Sequence, residues 1–275
     1  MGIQKETEKT YGLLWNRSLE SPPQDKWHYN AMQAVIDVPI VRGELGIEVG
    51  SGCGYDTYLM ARSNPLVKLV SIDISDGIFK TKELVSGLGN VLPVKCSALE
   101  ISAKDESFDF AYSFGVLHHT SDPGKGLSEM ARVLKKGAPA FVYLYEDHSE
   151  NIAKYLCLKL VSIFRLVTSR LPKKFLFFLS WAASPVVFVL FTLPSRLLRK
   201  FDATKKIAEN MPFNFGGGPF SLQGDLYDRF GAPVERRFSR QEMYDMFGKY
   251  GFDKVNVTRL KDTAGWVAWG YKANA

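Results

Sequence analysis

Three groups of residues in this chain have the types and spacing to do chemistry. The first is Leu45-Gly46-Ile47-Glu48-Val49-Gly50-Ser51-Gly52-Cys53-Gly54, an apolar run carrying one acid and then glycines at alternate positions. Alternating glycines suit a tight turn where backbone passes close to a ligand and a Cβ would intrude. The second is Asp73, near the end of the β-branched run Leu66–Ile74. An acid about 20 residues after a glycine turn can accept hydrogen bonds from both hydroxyls of a ribose, and Ile74 beside it offers an apolar surface to a base. The third is His118-His119 before Asp122-Pro123. An imidazole titrating near neutrality can take a proton from a hydroxyl or amine. The glycine spacing departs from the dinucleotide pattern G-x-G-x-x-G, because the third glycine comes one residue early. A nicotinamide-dependent oxidoreductase is therefore the weaker alternative.

The elements that must position these residues follow from hydrophobic pattern and punctuation. Leu45–Val49 reads as a buried parallel strand, and Tyr55–Ser63 as a helix with Leu59 and Met60 toward the sheet. Leu66–Ile74, Asn90–Val94, Ser107–Ser113 and Ala140–Tyr145 read as further strands. Pro123 starts a helix, where its missing N–H costs nothing. Leu127, Met130, Val133 and Leu134 give that helix an apolar stripe, and Gly137 ends it. A helix over Arg240–Lys249 and strands over Lys254–Leu260 and Trp266–Tyr271 close the pattern. Ahead of it all, Tyr11-Gly12-Leu13-Leu14-Trp15 is an aromatic cluster, and Gln24–Ile36 can form a helix carrying Trp27, Met32 and Val35.

Glu48 with the glycine triplet resembles motif I of the class I S-adenosylmethionine (SAM) methyltransferases. Phe108-Asp109, the strand after it, and Leu117-His118-His119 before Asp122-Pro123 resemble the methyltransferase type 11 family. The resemblance covers Glu44–Glu146 and Phe238–Lys272. It implies an α/β fold, a Rossmann-like seven-stranded, mostly parallel sheet with helices on both faces and the last strand antiparallel. It also implies SAM as cofactor. Glu48 would help hold the ammonium, and Gly50, Ser51, Gly52 and Gly54 would pass the amino-acid end. Asp73 would take the ribose and Ile74 the adenine face, and Ser113 would end the fourth strand at the cofactor. The family usually places Asp-Ala where this chain has Ser97-Ala98. A serine hydroxyl can also accept, but it is shorter and neutral, so a weaker adenine contact is expected there, with the Ala98 backbone contact kept. His118 is the preferred pocket-lining histidine by the family pattern, and either His118 or His119 is a candidate general base. The resemblance does not reach the acceptor.

Composition narrows the classes. A chain of 275 residues, 46% hydrophobic, suits one elaborated α/β domain. Cys53, Cys96 and Cys157 form no C-x-x-C pair and no even framework, so free thiols in a reducing, cytoplasmic compartment are expected, with no metal site. The polar start Met1–Thr10 does not read as a signal peptide. Net charge is +6, and it is concentrated: Asn151–Lys200 holds nine of the 35 basic residues and no acid, and 35 − 9 leaves 26 basic against 29 acidic elsewhere. A nucleic-acid binder would spread its basic surface more widely, and no Asn/Asp-Pro-Pro-aromatic motif for a flipped base is present.

That basic segment belongs to about 90 extra residues between the fifth strand and the last helix. Ile152–Leu171 patterns as a helix with Lys154, Lys159, Arg165 and Arg170 on one side and Leu156, Leu160, Ile163, Phe164 and Val167 mainly on the other. Phe175–Leu193 carries no charge, and Pro185 inside it predicts two short helices rather than one long one. A basic amphipathic cap of this kind can lie on an anionic membrane surface, and on the inner face of a membrane the protein would be peripheral. A soluble lid and a span are the competing readings. A span is disfavoured because later strands must rejoin the sheet. After Gly216-Gly217-Gly218-Pro219, the stretch Asp225, Tyr227, Asp228 and Arg229 resembles an acidic-aromatic motif of several type 11 methyltransferases, and with Tyr145 and His148 supplies the substrate-site candidates. The expected organisation is a lid segment over 1–41, a SAM-binding core over 42–147, a helical cap over 148–238 and the end of the core over 239–275. The expected function is methyl transfer from SAM to a small-molecule or lipid-like acceptor, with a non-catalytic SAM-binding protein as the alternative from another class.

Overall fold

The computed structural model describes residues 2–17, 28–214, 216–260 and 265–274. Trp27 and the start of the helix expected from Gln24 lie outside them. The chain divides into two compact units, Met1–Leu156 with Pro233–Ala275, and Cys157–Ala232.

The first unit is built on a seven-stranded sheet: β1 (Leu45–Val49), β2 (Lys68–Asp73), β3 (Val91–Lys95), β4 (Phe110–Phe114), β5 (Pro139–Tyr145), β6 (Phe252–Arg259) and β7 (Gly265–Lys272). Their order is β3-β2-β1-β4-β5-β7-β6. The first five pair in parallel, and β7 runs antiparallel between β5 and β6, as the resemblance implies. The order reverses between β1 and β4, so the crevice beyond their carboxyl ends is where an open α/β sheet takes a ligand.

Strand pleating sorts the core onto two faces. Ile47, Val49, Ala111, Val142 and Leu144 face one side with Leu127, Met130 and Phe247. Leu69, Phe110, Tyr112, Phe141 and Tyr143 face the other with Met32, Ile36 and Ile40. Helices α1 (Gly2–Asn16), α2 (His28–Gln33), α3 (Tyr55–Ser63), α4 (Gly77–Leu84) and α5 (Pro123–Val133) complete the amino-terminal part. Asp122 caps α5, its carboxylate accepting from the Lys125 N–H at 2.9 Å with Pro123 in the first turn. Gly137 does not end that helix; with φ of +72° it makes the turn into β5.

The second unit is helical: most of α6 (Ile152–Thr168), then α7 (Lys173–Val187), α8 (Leu193–Leu198), α9 (Asp202–Asn210) and α10 (Gln223–Gly231). The break expected at Pro185 is absent. One helix of 26 residues runs from Lys173 to Leu198, and a π turn at Phe188–Thr192 absorbs the irregularity after the proline. The chain then returns to the first unit, where α11 (Arg240–Lys249) starts with a reciprocal cap between Ser239 and Glu242.

The closest packing in the sheet gives a direct test of the fold. A Cβ at Gly46 would lie 2.1 Å from Phe110 Cζ, so Gly46→Val should cost about 3 kcal/mol through overpacking. Chemical denaturation of the variant, and of its combination with Phe110→Ala, checks this: the double change should cost less than the sum of the two.

Candidate functional site

The residues at the sheet reversal are held by hydrogen bonds the glycine turn makes to β2. The N–H groups of Gly50 and Ser51 donate to the Ile72 carbonyl at 2.7 and 3.1 Å. The Gly52 N–H donates to Asp73 Oδ2 at 2.8 Å, and Asp73 Oδ1 accepts from the Ser75 N–H and hydroxyl, both at 2.7 Å. Gly50, Gly52 and Gly54 all have positive φ, which L side chains rarely adopt. At Gly50 a Cβ would lie 2.2 Å from Val116, and at Gly52 2.9 Å from Trp15. Burial raises the Asp73 carboxyl pKa, and its bonds to Ser75 and Gly52 pull it back.

These residues line a cleft of about 990 Å³, open mouth included. Gly50, Ser51, Gly52, Asp73, Ile74, Ser97, Ala98 and His119 all lie on its wall, as the sequence suggests. Opposite them α1 presents Gln4, Thr7, Tyr11 and Trp15, spaced three, four and four residues apart on one helical face. Gln4 Nε2 donates to Ser97 Oγ at 2.9 Å, and the Leu99 N–H donates to the same oxygen at 3.1 Å. The expected acceptor role of Ser97 is therefore already filled by the protein, and what its hydroxyl retains is its own O–H.

Several expected residues lie elsewhere. Glu48 is buried beneath the loop and does not line the cleft; its Oε2 accepts from the Thr57 and Ser71 hydroxyls. Gly54 serves packing, since a Cβ there would lie 2.7 Å from Thr81 Cα. Ser113 is fully buried and donates to the Val49 carbonyl at 2.9 Å, tying β4 to β1. His118, the preferred histidine, is fully buried off the cleft, its ring 3.9 Å from Tyr145 and 4.1 Å from His119. Among the described residues neither of its ring nitrogens has a hydrogen-bond partner, and burial, then His119 and Arg237, hold its pKa well below the usual imidazole range. Tyr145 stays with His118 and under Arg237, 5.0 Å from the guanidinium. His148, at φ of +58°, sits 3.4 Å from Glu146 at the start of the insertion. Asp225, Tyr227, Asp228 and Arg229 share α10 of the second unit, where Tyr227 is fully buried with burial raising its pKa and Arg229 stacks over Phe213.

Two residues of the cleft wall were missed. Asp56 is a buried carboxylate on the cleft wall, in the first turn of α3; its Oδ1 accepts from the Tyr29 N–H at 2.8 Å and its Oδ2 lies 3.0 Å from His28 Nδ1. His28 lines the same wall and stacks on Phe114 at 4.1 Å. An acid opening the helix after a glycine turn was the available signal for Asp56. Nothing local marks His28, which tertiary packing brings there.

Of the two adjacent histidines, His119 is the one that lines the cleft. Its Nδ1 lies 2.9 Å from the Val234 carbonyl, which can only accept, so Nδ1 carries the proton. In the neutral ring the basic lone pair is then on Nε2.

Residues 47–142 match the family model described as "Methyltransferase domain". This segment is a SAM-dependent methyltransferase domain. Its cofactor is S-adenosyl-L-methionine. The chain is 33% identical over 106 residues to a tRNA (carboxymethyluridine(34)-5-O)-methyltransferase of Saccharomyces cerevisiae, covering 38% of this chain and 36% of that one. It is also 33% identical over 113 residues to a demethylmenaquinone methyltransferase of Clavibacter sepedonicus, covering 40% and 44%. The matches thus span less than half of these relatives' lengths. A SAM-dependent methyltransferase structure from Aquifex aeolicus superposes with a TM-score of 0.50 at 15% identity, over 88% of this chain and 89% of that one, which establishes the fold.

The cleft itself fits this cofactor. Among the described residues its wall carries two carboxylates, Asp56 and Asp73, and no lysine or arginine. That suits a ligand bearing a sulfonium and an ammonium, and leaves the phosphates of a dinucleotide without cationic partners.

Two outcomes follow. Asp73→Ala should weaken S-adenosylhomocysteine binding at least about tenfold, read by calorimetric titration; unchanged affinity in a folded variant would remove Asp73 from the site. Glu48 provides a pH signature. Burial, only partly offset by the Thr57 bond, pushes its pKa from 4.5 up to about 7. The folded state therefore keeps a proton that the unfolded chain releases, so this contribution to stability is fully present below pH 4.5 and is lost as pH rises to about 7, by about 3 kcal/mol in all. Glu48→Gln should flatten the fall in melting temperature across that window, and parallel slopes for the two proteins would contradict the assignment.

Proposed function

We propose that this chain transfers a methyl group from SAM to a small-molecule or lipid-like acceptor with a nucleophilic oxygen, nitrogen or carbon. The observation that carries the reading is the cleft with two carboxylates, no cation and His119 on one wall. Bound there, SAM supplies an electrophilic methyl. The protein's own work is to hold two reactants in line and exclude water, which can account for most of the rate. Asp73 and Ile74 would bind the ribose and the adenine face, and Asp56 would face the ammonium. Where the acceptor is a hydroxyl or amine, His119 Nε2 takes its proton, with Nδ1–H anchored on Val234 so that the ring keeps one orientation. His118 supports that ring by packing and is a positioning residue. Tyr145, His148 and the α10 residues Asp225, Tyr227, Asp228 and Arg229 remain candidates for acceptor recognition.

A small or lipid-like acceptor is favoured over nucleic acid by charge. Phosphate-backbone binding depends on Lys and Arg, and the cleft wall has neither among the described residues. The demethylmenaquinone relative supports the same side and the tRNA relative the other. Turnover of SAM to S-adenosylhomocysteine against lipid extracts, small-molecule fractions and bulk tRNA decides: turnover confined to tRNA would overturn the acceptor class, and no turnover with any fraction would favour a binding protein.

With a turnover assay in hand, His119→Gln should lower kcat about a hundredfold or more for an oxygen or nitrogen acceptor, leaving S-adenosylhomocysteine affinity unchanged. His118→Phe, which keeps the ring packing, should retain most of kcat. The reverse ranking would move the base to His118.

A further inference from the structure

We propose that the outer face of the Lys173–Leu198 helix lies in the headgroup–acyl boundary of an anionic lipid bilayer and holds the protein there peripherally. This goes beyond methyl transfer and does not rest on it. The helix is inverted relative to a soluble one. Its buried line is Leu176, Ser180, Ser184, Phe188, Thr192 and Ser195, four hydroxyl residues among six. Those hydroxyls have work inside: Ser184 donates to the Pro219 carbonyl at 2.8 Å and Thr192 to that of Phe213, satisfying two backbone carbonyls outside any helix or strand. The outward line is Phe178, Trp181, Val186, Val189, Leu190 and Leu197, with Leu190 59% and Trp181 44% exposed. Phe178, Trp181 and Phe220 form an exposed aromatic ladder, with ring centroids 5.9 and 5.3 Å apart. Large contiguous apolar surfaces mark interaction sites, and aromatic rings beside a polar boundary suit the membrane interface.

Charge selects the occupant. Exposed Arg170 and Lys174 stand before and at the start of this helix, and Arg199 and Lys200 just after it, in a window from Asn151 to Lys200 without one acid. A second copy of this chain on the same face would set cations against cations across a two-fold contact, whereas an anionic headgroup layer complements both ends at once.

Topology selects the mode. At about 1.5 Å per residue the helix is long enough to cross a bilayer. Yet the ends of the excursion lie side by side in the sheet: the Phe238 N–H donates to the Tyr145 carbonyl at 2.9 Å, and the Asp147 N–H to that of Phe238 at 3.0 Å. A single crossing would separate them by a membrane. A second crossing by α6 is also excluded, since its 17 residues reach only about 26 Å and include Lys159 and Arg165. The face therefore lies along the surface.

Flotation of the full chain on density gradients tests this, with phosphatidylcholine vesicles and with vesicles containing phosphatidylglycerol. The protein should float with the anionic vesicles, and salt should weaken the binding. Replacing Arg170, Lys174, Arg199 and Lys200 with Gln should lower the partition coefficient at least about tenfold. Val186→Ser with Leu190→Ser, both at exposed positions, should abolish flotation while circular dichroism and S-adenosylhomocysteine affinity stay as they were. Three results would overturn the proposal: protein that stays at the bottom of the gradient, protein that covers the face as a dimer by sedimentation equilibrium without binding lipid, and protein that resists salt on neutral vesicles as an integral span would.

Discussion

The site hangs from the end of β2. The Ile72 carbonyl and the Asp73 carboxylate between them receive the N–H groups of Gly50, Ser51 and Gly52, so the glycine turn after β1 has its shape only while β2 is paired beside it. Parallel pairing of the two strands sets the register, Val49 against Ile72. From that follow the position of α3, the carboxylate of Asp56 at its start, and the mouth of the cleft where the sheet order reverses. Asp73 thus holds the loop while lining the cleft, and a carboxylate, with about four acceptor positions, has room for the ribose contact proposed above.

Two carboxylates at this end of the sheet have opposite environments. Glu48 is sealed under the loop with two hydroxyl donors and favours its proton. Asp56 lines the cleft, with a backbone N–H and His28 for neighbours. The acid that the motif emphasises is therefore the one that fastens β1 to α3 and β2, through Thr57 and Ser71. The acid on the cleft wall, Asp56, comes two residues after the last glycine. The two histidines divide in the same way: one packs, and the other turns its ring toward the cleft with its proton fixed on a carbonyl.

The second unit obeys a different constraint. Its long helix satisfies the carbonyls of Phe213 and Pro219 from inside, which places hydroxyls where a soluble helix would place leucines. The unit's small core cluster is Phe188, Leu222 and Leu226, and most of the helix's other large apolar side chains remain on its surface beside a run of cations.

The family resemblance carried the antiparallel last strand and the Ser97-Ala98 position; the amino-acid sequence by itself determined the strands, the glycine turn and the place of Asp73 at the end of β2. These depend on local pattern: apolar runs bounded by glycine and proline, and acids at strand ends. Sequence also showed that the basic charge is confined to one stretch. Only the tertiary structure decided which of His118 and His119 meets the cleft, because neighbouring residues on a tight turn point in different directions and their surroundings, Tyr145 for one and Val234 for the other, come from distant segments. It alone revealed that Ser97 is already occupied by Gln4, from a helix 93 residues away, and that His28 reaches the wall. It also reversed the expectation at Pro185, since a π turn can absorb what a proline disrupts. A helical wheel separates one face from another, but which face turns inward depends on the carbonyls and side chains waiting there, and those are set by the rest of the fold.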